Sequence, residues 1–260
     1  MKKLITAALL LTMLVLSGCS NNSANSTDSS GNEDSKVLRI GTEGSYRPFS
    51  YRNDDDQLVG YDVEVAEAVA KQMGYTAEFH EAPWDSMLAA FDAGRTDVIF
   101  NQVSITDERK EKYHFSEPYS VAHIALIVNE ENNTIKDFSD LSGKSVAQTI
   151  TSNFARMAEE EYGATIASVE TFNNSFDLVM SERADATLND DVIFYDYMNQ
   201  QPDTPLKIAA ISEEGLPAAA LLHKNDDDLL EQVNQALKEL QADGTLKEIS
   251  EKYFNRDITN

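Results

Sequence analysis

The chain predicts a doubly wound α/β fold from residue 37 onward, and three observations carry that expectation. Short apolar, β-rich runs alternate with amphipathic helical stretches along the whole segment. The helical stretches close at glycines, namely Gly74, Gly94, Gly163 and Gly244. The single cysteine, Cys19, lies near the N-terminus, so the fold has no internal disulfide and its core must hold by burial.

In chain order, residues 37–41 read as a strand. Asp62 is expected to cap a helix whose inner face is Val63, Ala66, Val69, Ala70 and Met73. Residues 75–80 are a strand, and Asp85 caps a second helix with Met87, Leu88 and Phe91 inside. Residues 97–100 are a short buried strand that empties into the polar loop 101–106, and Thr106 then caps a helix carrying Arg109 in its first turn. Residues 121–128 form a β-rich run that could leave the first lobe.

A second α/β set follows. Residues 145–148 are a strand and 154–162 a helix, and Ser175 caps a short helix containing Val179. Residues 184–188 are a strand, 192–198 a helix, and 207–211 and 218–222 two further strands. The last runs into a long helix with Leu229, Leu230, Val233, Leu237 and Leu240 on its apolar face, and a final helix ends near Phe254.

The N-terminus reads as an export and anchoring signal. Lys2 and Lys3 precede an apolar run over residues 4–16, too short to span a bilayer. Leu16-Ser17-Gly18-Cys19 resembles a lipobox, which implies a signal peptide over residues 1–18 and a mature protein beginning at a lipidated (palmitate-bearing) Cys19. Residues 19–36 hold almost nothing that could bury apolar surface and read as a disordered tether. About 220 residues remain, enough for one large domain or two modest lobes. The expected location is extracytoplasmic, anchored to the cell membrane by lipid.

Lys and Arg number 21 against 45 Asp and Glu, a formal charge of −24, which loss of the two leader lysines takes to −26. Such a surface repels nucleic acid and anionic lipid headgroups, and neither is expected as a partner. His80, His114, His123 and His223 are scattered without metal-ligand spacing, and neither G-x-S-x-G nor H-E-x-x-H occurs. No metal, cofactor or catalytic residue is expected.

The run G-R-T-D-V-I-F-N-Q-V-S-I-T-D-E-R over residues 94–109 is the most informative in the chain. A strand opening into a polar loop, then a helix start bearing a cation, suits a small anionic group. Read on through Tyr119, it closely resembles the signature of solute-binding proteins serving polar amino-acid ABC importers. The tail A-L-K-E-L-Q-A-D-G-T-L-K-E-I-S-E-K-Y-F over residues 236–254 resembles that family's closing helices. The resemblance implies a two-lobed, periplasmic-binding-protein-like fold with two crossover strands and a ligand cleft between the lobes. Lobe 1 would comprise residues 37–122 and 218–260, and lobe 2 residues 123–217. It also implies a monomeric binding protein, not an enzyme, that delivers an amino acid to a membrane permease.

An α-amino acid offers a carboxylate and an ammonium, so its receptor needs a cation and an anion at fixed separation. Arg109 supplies the cation, and its planar fork can take a carboxylate bidentately. Asn101, Gln102, Val103 and Ser104 add a hydroxyl, amides and backbone groups. In the family the serine-bearing loop and the arginine hold the α-carboxylate. Thr151, Ser152 and Asn153 precede a helix, and their run resembles the family's carboxylate-holding turn, with Thr151 where a glycine is usual. Asp190 matches the aspartate that holds the ligand's ammonium and is favoured over Asp191, which is expected to be only the first residue of the following helix. Tyr46 and Trp84 match aromatic walls, whereas Phe49 reads as core. Glu43 is either a reader of the ligand side chain or a solvated carboxylate.

F-N-Q-V, A-Q-T-I-T-S-N and T-L-N-D-D are most similar to the L-cystine-binding branch, so L-cystine leads and glutamine or another polar amino acid is the alternative. Two other classes compete: a dehydratase-type enzyme on the same fold, and an amino-acid sensor acting with a membrane partner.

Overall fold

The computed structural model describes residues 36–259. The leader, Cys19 and the tether as far as residue 35 therefore lie outside the described residues. The first strand, β1 (Lys36–Thr42), sets the interior of one lobe by burying Leu38 and Ile40. A small antiparallel sheet follows, made of β2 (Ser45–Tyr46), β3 (Ser50–Arg52) and β4 (Leu58–Val59). Helix α1 (Tyr61–Gln72) carries the chain to β5 (Tyr75–Glu81), and α2 (Trp84–Asp92) carries it to β6 (Val98–Ile99). Both strands lie parallel to β1, one on each side, as helical crossovers require. Helix α3 (Asp107–Lys112) and β7 (Tyr113–Phe115) complete this part.

The second lobe begins with β8 (Ser120–Asn129) and β9 (Ser145–Gln148). Next come α4 (Asn153–Arg156), which continues as a π-helical turn over Met157–Glu161, then β10 (Thr165–Ser168), α5 (Asn173–Met180), β11 (Ala186–Asp190), α6 (Asp191–Gln200) and β12 (Leu206–Ala218). The sheet order is β10-β9-β11-β8-β12, parallel among the first three and antiparallel at β8. Ile124, Leu126, Val128, Val146 and Leu188 fill its core.

The chain then returns. β13 (Leu221–His223) enters the first sheet between β6 and β7, antiparallel to both, giving the order β5-β1-β6-β13-β7. Helices α7 (Asp227–Ala242) and α8 (Thr245–Phe254) close the fold, with Val233, Leu237 and Leu240 in one cluster with Val65, Ala66 and Val69 of α1. The two passages between sheets run side by side: Ser116 N–H donates to Ala220 O at 3.0 Å, and Tyr119 N–H to Ala218 O at 3.1 Å.

Several local expectations change. Asp62, Asp85 and Ser175 do not cap their helices; the caps are Gly60, Pro83 and Phe172. Each expected cap residue lies inside the first turn instead. The two strands expected over 207–211 and 218–222 become one 13-residue β12 and the separate β13. Polar Ser212-Glu213-Glu214 interrupts the apolar pattern, yet pairing with β8 resumes beyond it, through a register shift between Ile211 and Gly215.

The loop between β6 and α3 is stitched to the returning crossover. Ser104 forms a β-bridge with Ala218, Ile105 N–H donates to Pro217 O at 3.0 Å, and Ala219 N–H to Val103 O at 3.1 Å. That stitching fixes the loop at the meeting line of the two lobes.

Candidate functional site

A narrow cavity lies where the carboxyl ends of β1, β6, β9 and β11 face one another. It is lined by Glu43, Tyr46 and Trp84, by Asn101, Gln102 and Ser104, and by Gln148, Thr149, Ser152, Asn153, Phe154, Phe172 and Asn189. Seven of the expected ligand residues line it, together with Glu43. Val103, Arg109, Thr151 and Asp190 stand around it instead.

Asn101 organises the first-lobe wall. Its Oδ1 accepts from Glu43 N–H at 2.8 Å, Thr42 Oγ1 at 3.1 Å and Ser50 Oγ at 3.3 Å, and its Nδ2 donates to Glu43 Oε2 at 2.8 Å. Glu43 is thus a buried acid, not a solvated one, and burial pushes its pKa up to about 7 against the pull of Asn101. Gln102 adopts a left-handed backbone with φ 47°, a conformation a non-glycine residue holds only when its surroundings enforce it. The Ser120 hydroxyl donates to its Oε1 at 2.7 Å, and its Nε2 is buried without a hydrogen-bond partner. Val103 faces away, packed with Trp84, Met87 and Phe91.

Arg109 sits in the first turn of α3, whose cap Thr106 accepts from Arg109 N–H at 3.2 Å. Its Nη1 donates to Ser104 O at 3.0 Å and reaches Asn153 Oδ1 at 3.5 Å, both on residues that line the cavity. Its guanidinium lies 5.2 Å from the Trp84 ring. Nη2 is buried with no hydrogen-bond partner. Burial pulls the pKa down to about 10, so the group is charged at neutral pH, and it holds one donor in reserve for an acceptor.

The second lobe supplies Ser152, Asn153 and Asp190. Ser152 caps α4 by accepting from Ala155 N–H at 3.0 Å and also lines the cavity, so capping and lining coexist. Thr151 is exposed and spends its polar groups elsewhere: Oγ1 accepts from Trp84 Nε1 at 2.9 Å and donates to Asp85, which also takes Thr151 N–H at 3.3 Å. Asp190 ends β11 and precedes α6 without capping it by its side chain. It is buried, and burial raises its pKa to about 7, with the Gln102 amide opposing that rise and Asp191 adding to it.

Sequence reasoning missed Gln148, Thr149, Phe154, Phe172 and Asn189 as cavity residues. Asn189 precedes Asp190 and accepts the Tyr46 hydroxyl at 2.7 Å. It also missed the role of Asp191. Far from being only the first residue of a helix, Asp191 is buried, accepts His123 N–H at 3.2 Å and pairs with Arg256 at 2.9 Å.

The lobes meet around the cavity in a ring of contacts. Tyr46 to Asn189 and Trp84 to Thr151 are joined by Asn173 Nδ2 to Ser45 O at 2.9 Å, Arg47 to Asp196 at 3.2 Å and Arg156 to Glu108 at 3.1 Å. This is a closed arrangement. No helix among the described residues is long and apolar enough to cross a membrane.

Known proteins place this geometry. L-cystine-binding protein TcyA of Bacillus subtilis is 39% identical over 224 residues, 86% of this chain and 83% of that protein. An ancestral arginine-binding protein bound to glutamine superposes with a TM-score of 0.80 at 33% identity, over 85% of this chain and 98% of that one. The unliganded, open L-cystine solute receptor of Neisseria gonorrhoeae is 39% identical over 87% of this chain and 96% of its own, yet its TM-score is 0.57. The ligand-bound structure matches better than the more similar open one, in keeping with the closed lobes. The model of the bacterial extracellular solute-binding proteins, family 3, matches residues 38–256, and the chain belongs to that family.

Proposed function

We propose that this protein captures a polar α-amino acid between its lobes and delivers it to the permease of an ABC importer. The observation that carries this reading is Arg109, a cation with a buried, unpartnered Nη2 whose Nη1 is held by the cavity residues Ser104 and Asn153, together with a buried acid, Asp190, that follows the cavity residue Asn189. Those two groups complement an α-carboxylate and an α-ammonium.

In this reading Arg109, Ser104, Ser152 and Asn153 take the carboxylate, and Asp190 with Gln102 takes the ammonium. Tyr46, Trp84 and Phe172 wall the side chain. Glu43, held by Asn101, reads its far end, while Val103 supports the loop from the core. Thr151 serves closure through Trp84 and Asp85. The lobes are taken as residues 37–122 with 218–260, and 123–217. L-cystine is the favoured ligand, because two similar proteins are cystine binders by name and because Asn101, Gln102, Asn153, Gln148 and Asn189 offer amides to a long polar ligand. Glutamine is the alternative. Cys19 would tether a monomer to the cell membrane by lipid.

A thermal-shift panel over the common amino acids plus L-cystine tests the reading. A ligand at 100 times its dissociation constant stabilises the fold by about 2.7 kcal/mol. The expected result is a shift by cystine exceeding those of all other amino acids; no shift by any amino acid contradicts the reading.

A further inference from the structure

The C-terminal segment after α8 holds a group that reaches the ligand acid at one remove. Arg256 Nη2 donates to Asp191 Oδ2 at 2.9 Å, and Asp191 is the residue next to Asp190. Asp191 Oδ1 accepts the N–H of His123, whose neighbour Ile124 pairs with Asp190 in the sheet. The segment bearing Arg256 is fixed. Ser250 Oγ donates to Arg256 O and accepts Ile258 N–H, both at 2.9 Å, and Val121 N–H donates to Ile258 O at 2.7 Å. Arg256 thus approaches from the closing segment of the first lobe, along the crossover, to the turn that carries Asp190.

We propose that Arg256 is a positioning residue for the ammonium site: by pairing with Asp191 it fixes the β11–α6 turn and offsets the negative charge beside Asp190. This rests on the reading of Asp190 as the ammonium acceptor. The groups facing Asp190 show why an offset matters. Asp62 of α1 interacts with it through space, Tyr46 of β2 carries its hydroxyl nearby, Tyr119 stands beside Asp62, and Gln102 offers only a neutral amide. Glu43 acts on the same Tyr46 hydroxyl. The His123 ring turns aside, with Nδ1 on Ser212 O at 2.9 Å. Among these neighbours Arg256 is the one basic side chain paired at the turn. Without it, Asp191 stands beside Asp190 uncompensated, and a second negative charge opposes ionisation of the first.

The test is calorimetric titration of L-cystine and L-glutamine into R256Q, R256K, D190N and the double variant R256Q/D191N between pH 5.5 and 8. R256Q is expected to weaken binding about tenfold at pH 7 and to move the acid limb of the affinity profile up by about one pH unit. R256K should stay within about threefold, since it keeps the charge without the planar fork. R256Q/D191N should bind better than R256Q, because the uncompensated carboxylate is gone; a merely structural role for Arg256 predicts no such recovery. R256Q with wild-type affinity and pH profile, or a double variant no better than R256Q, overturns the proposal while D190N still tests the site. A D190N protein that binds like wild type overturns the ammonium reading and this inference with it.

Discussion

Arg109 and Asp190 carry the functional account, and each makes a separate expectation. Arg109→Ala strands the ligand carboxylate in a buried site, which typically costs about 3–5 kcal/mol, or a hundred- to several-thousand-fold in affinity. Arg109→Lys should recover only part, lacking the second donor that Nη2 now holds unpartnered. Calorimetry reads both, and a loss below fivefold for the alanine variant removes Arg109 from the site. For Asp190 the sign follows from its raised pKa of about 7. An ammonium needs the ionised carboxylate, so affinity should fall as pH drops through about 7, approaching tenfold per pH unit, and Asp190→Asn should abolish that slope. At this scale the loop over residues 101–109 was legible because its signal is local: strand, polar loop, cap and cation are consecutive. Asn189, Gln148 and Phe172 were not, since each joins the cavity only once separate strands and helices converge. Asp191 opens α6 as expected, but its pairing with Arg256 was not legible, because that partner arrives from the far end of the chain.

Among the elements, α2 and α4 face each other across the cleft at the bond from Trp84 Nε1 to Thr151 Oγ1. Thr151 also engages Asp85, so one exposed threonine ties the start of α2 to the turn before α4. Thr151→Val keeps the shape and removes both side-chain bonds. Small-angle scattering of ligand-bound protein should then show a larger population of open molecules, with ligand dissociation faster than in wild type. Unchanged scattering and dissociation would mean the bridge has no part in closure. The helix positions were readable from apolar periodicity, but their caps were not. Asp62, Asp85 and Ser175 have the composition of caps yet lie inside first turns, because the helices already begin behind Gly60, Pro83 and Phe172. The 13-residue β12 was hidden for a related reason: its middle is polar, and only its pairing with β8 reveals the strand.

Among the described residues, burial raises the pKa values of several acids, most of all Glu43 to about 7, Asp62 to about 8 and Asp190 to about 7. Each binds its proton more tightly folded than unfolded, so each favours the fold at low pH and loses that contribution as pH rises from about 4 to 8. The melting temperature of the ligand-free protein should therefore fall between pH 5 and 9, and Asp62→Asn should flatten that fall. A melting temperature constant or rising over this range contradicts the assignment. The proposed lipid anchor makes an independent claim: Cys19→Ala should release the protein from the membrane fraction without altering affinity, and a variant that still sediments with membranes counts against the anchor. The doubly wound character was legible from alternation alone, whereas the return of the chain into the first sheet at β13 follows from long-range pairing that periodicity does not encode. The central claim is that Arg109 and Asp190 grip the two charged ends of one α-amino acid, and competitive calorimetry on the wild-type protein tests it most directly. L-cystine should bind more tightly than glutamine or arginine, and its N-acetylated derivative should fail to compete, because an amide cannot pair with the Asp190 carboxylate. Equal binding of the acetylated and free forms would contradict the account.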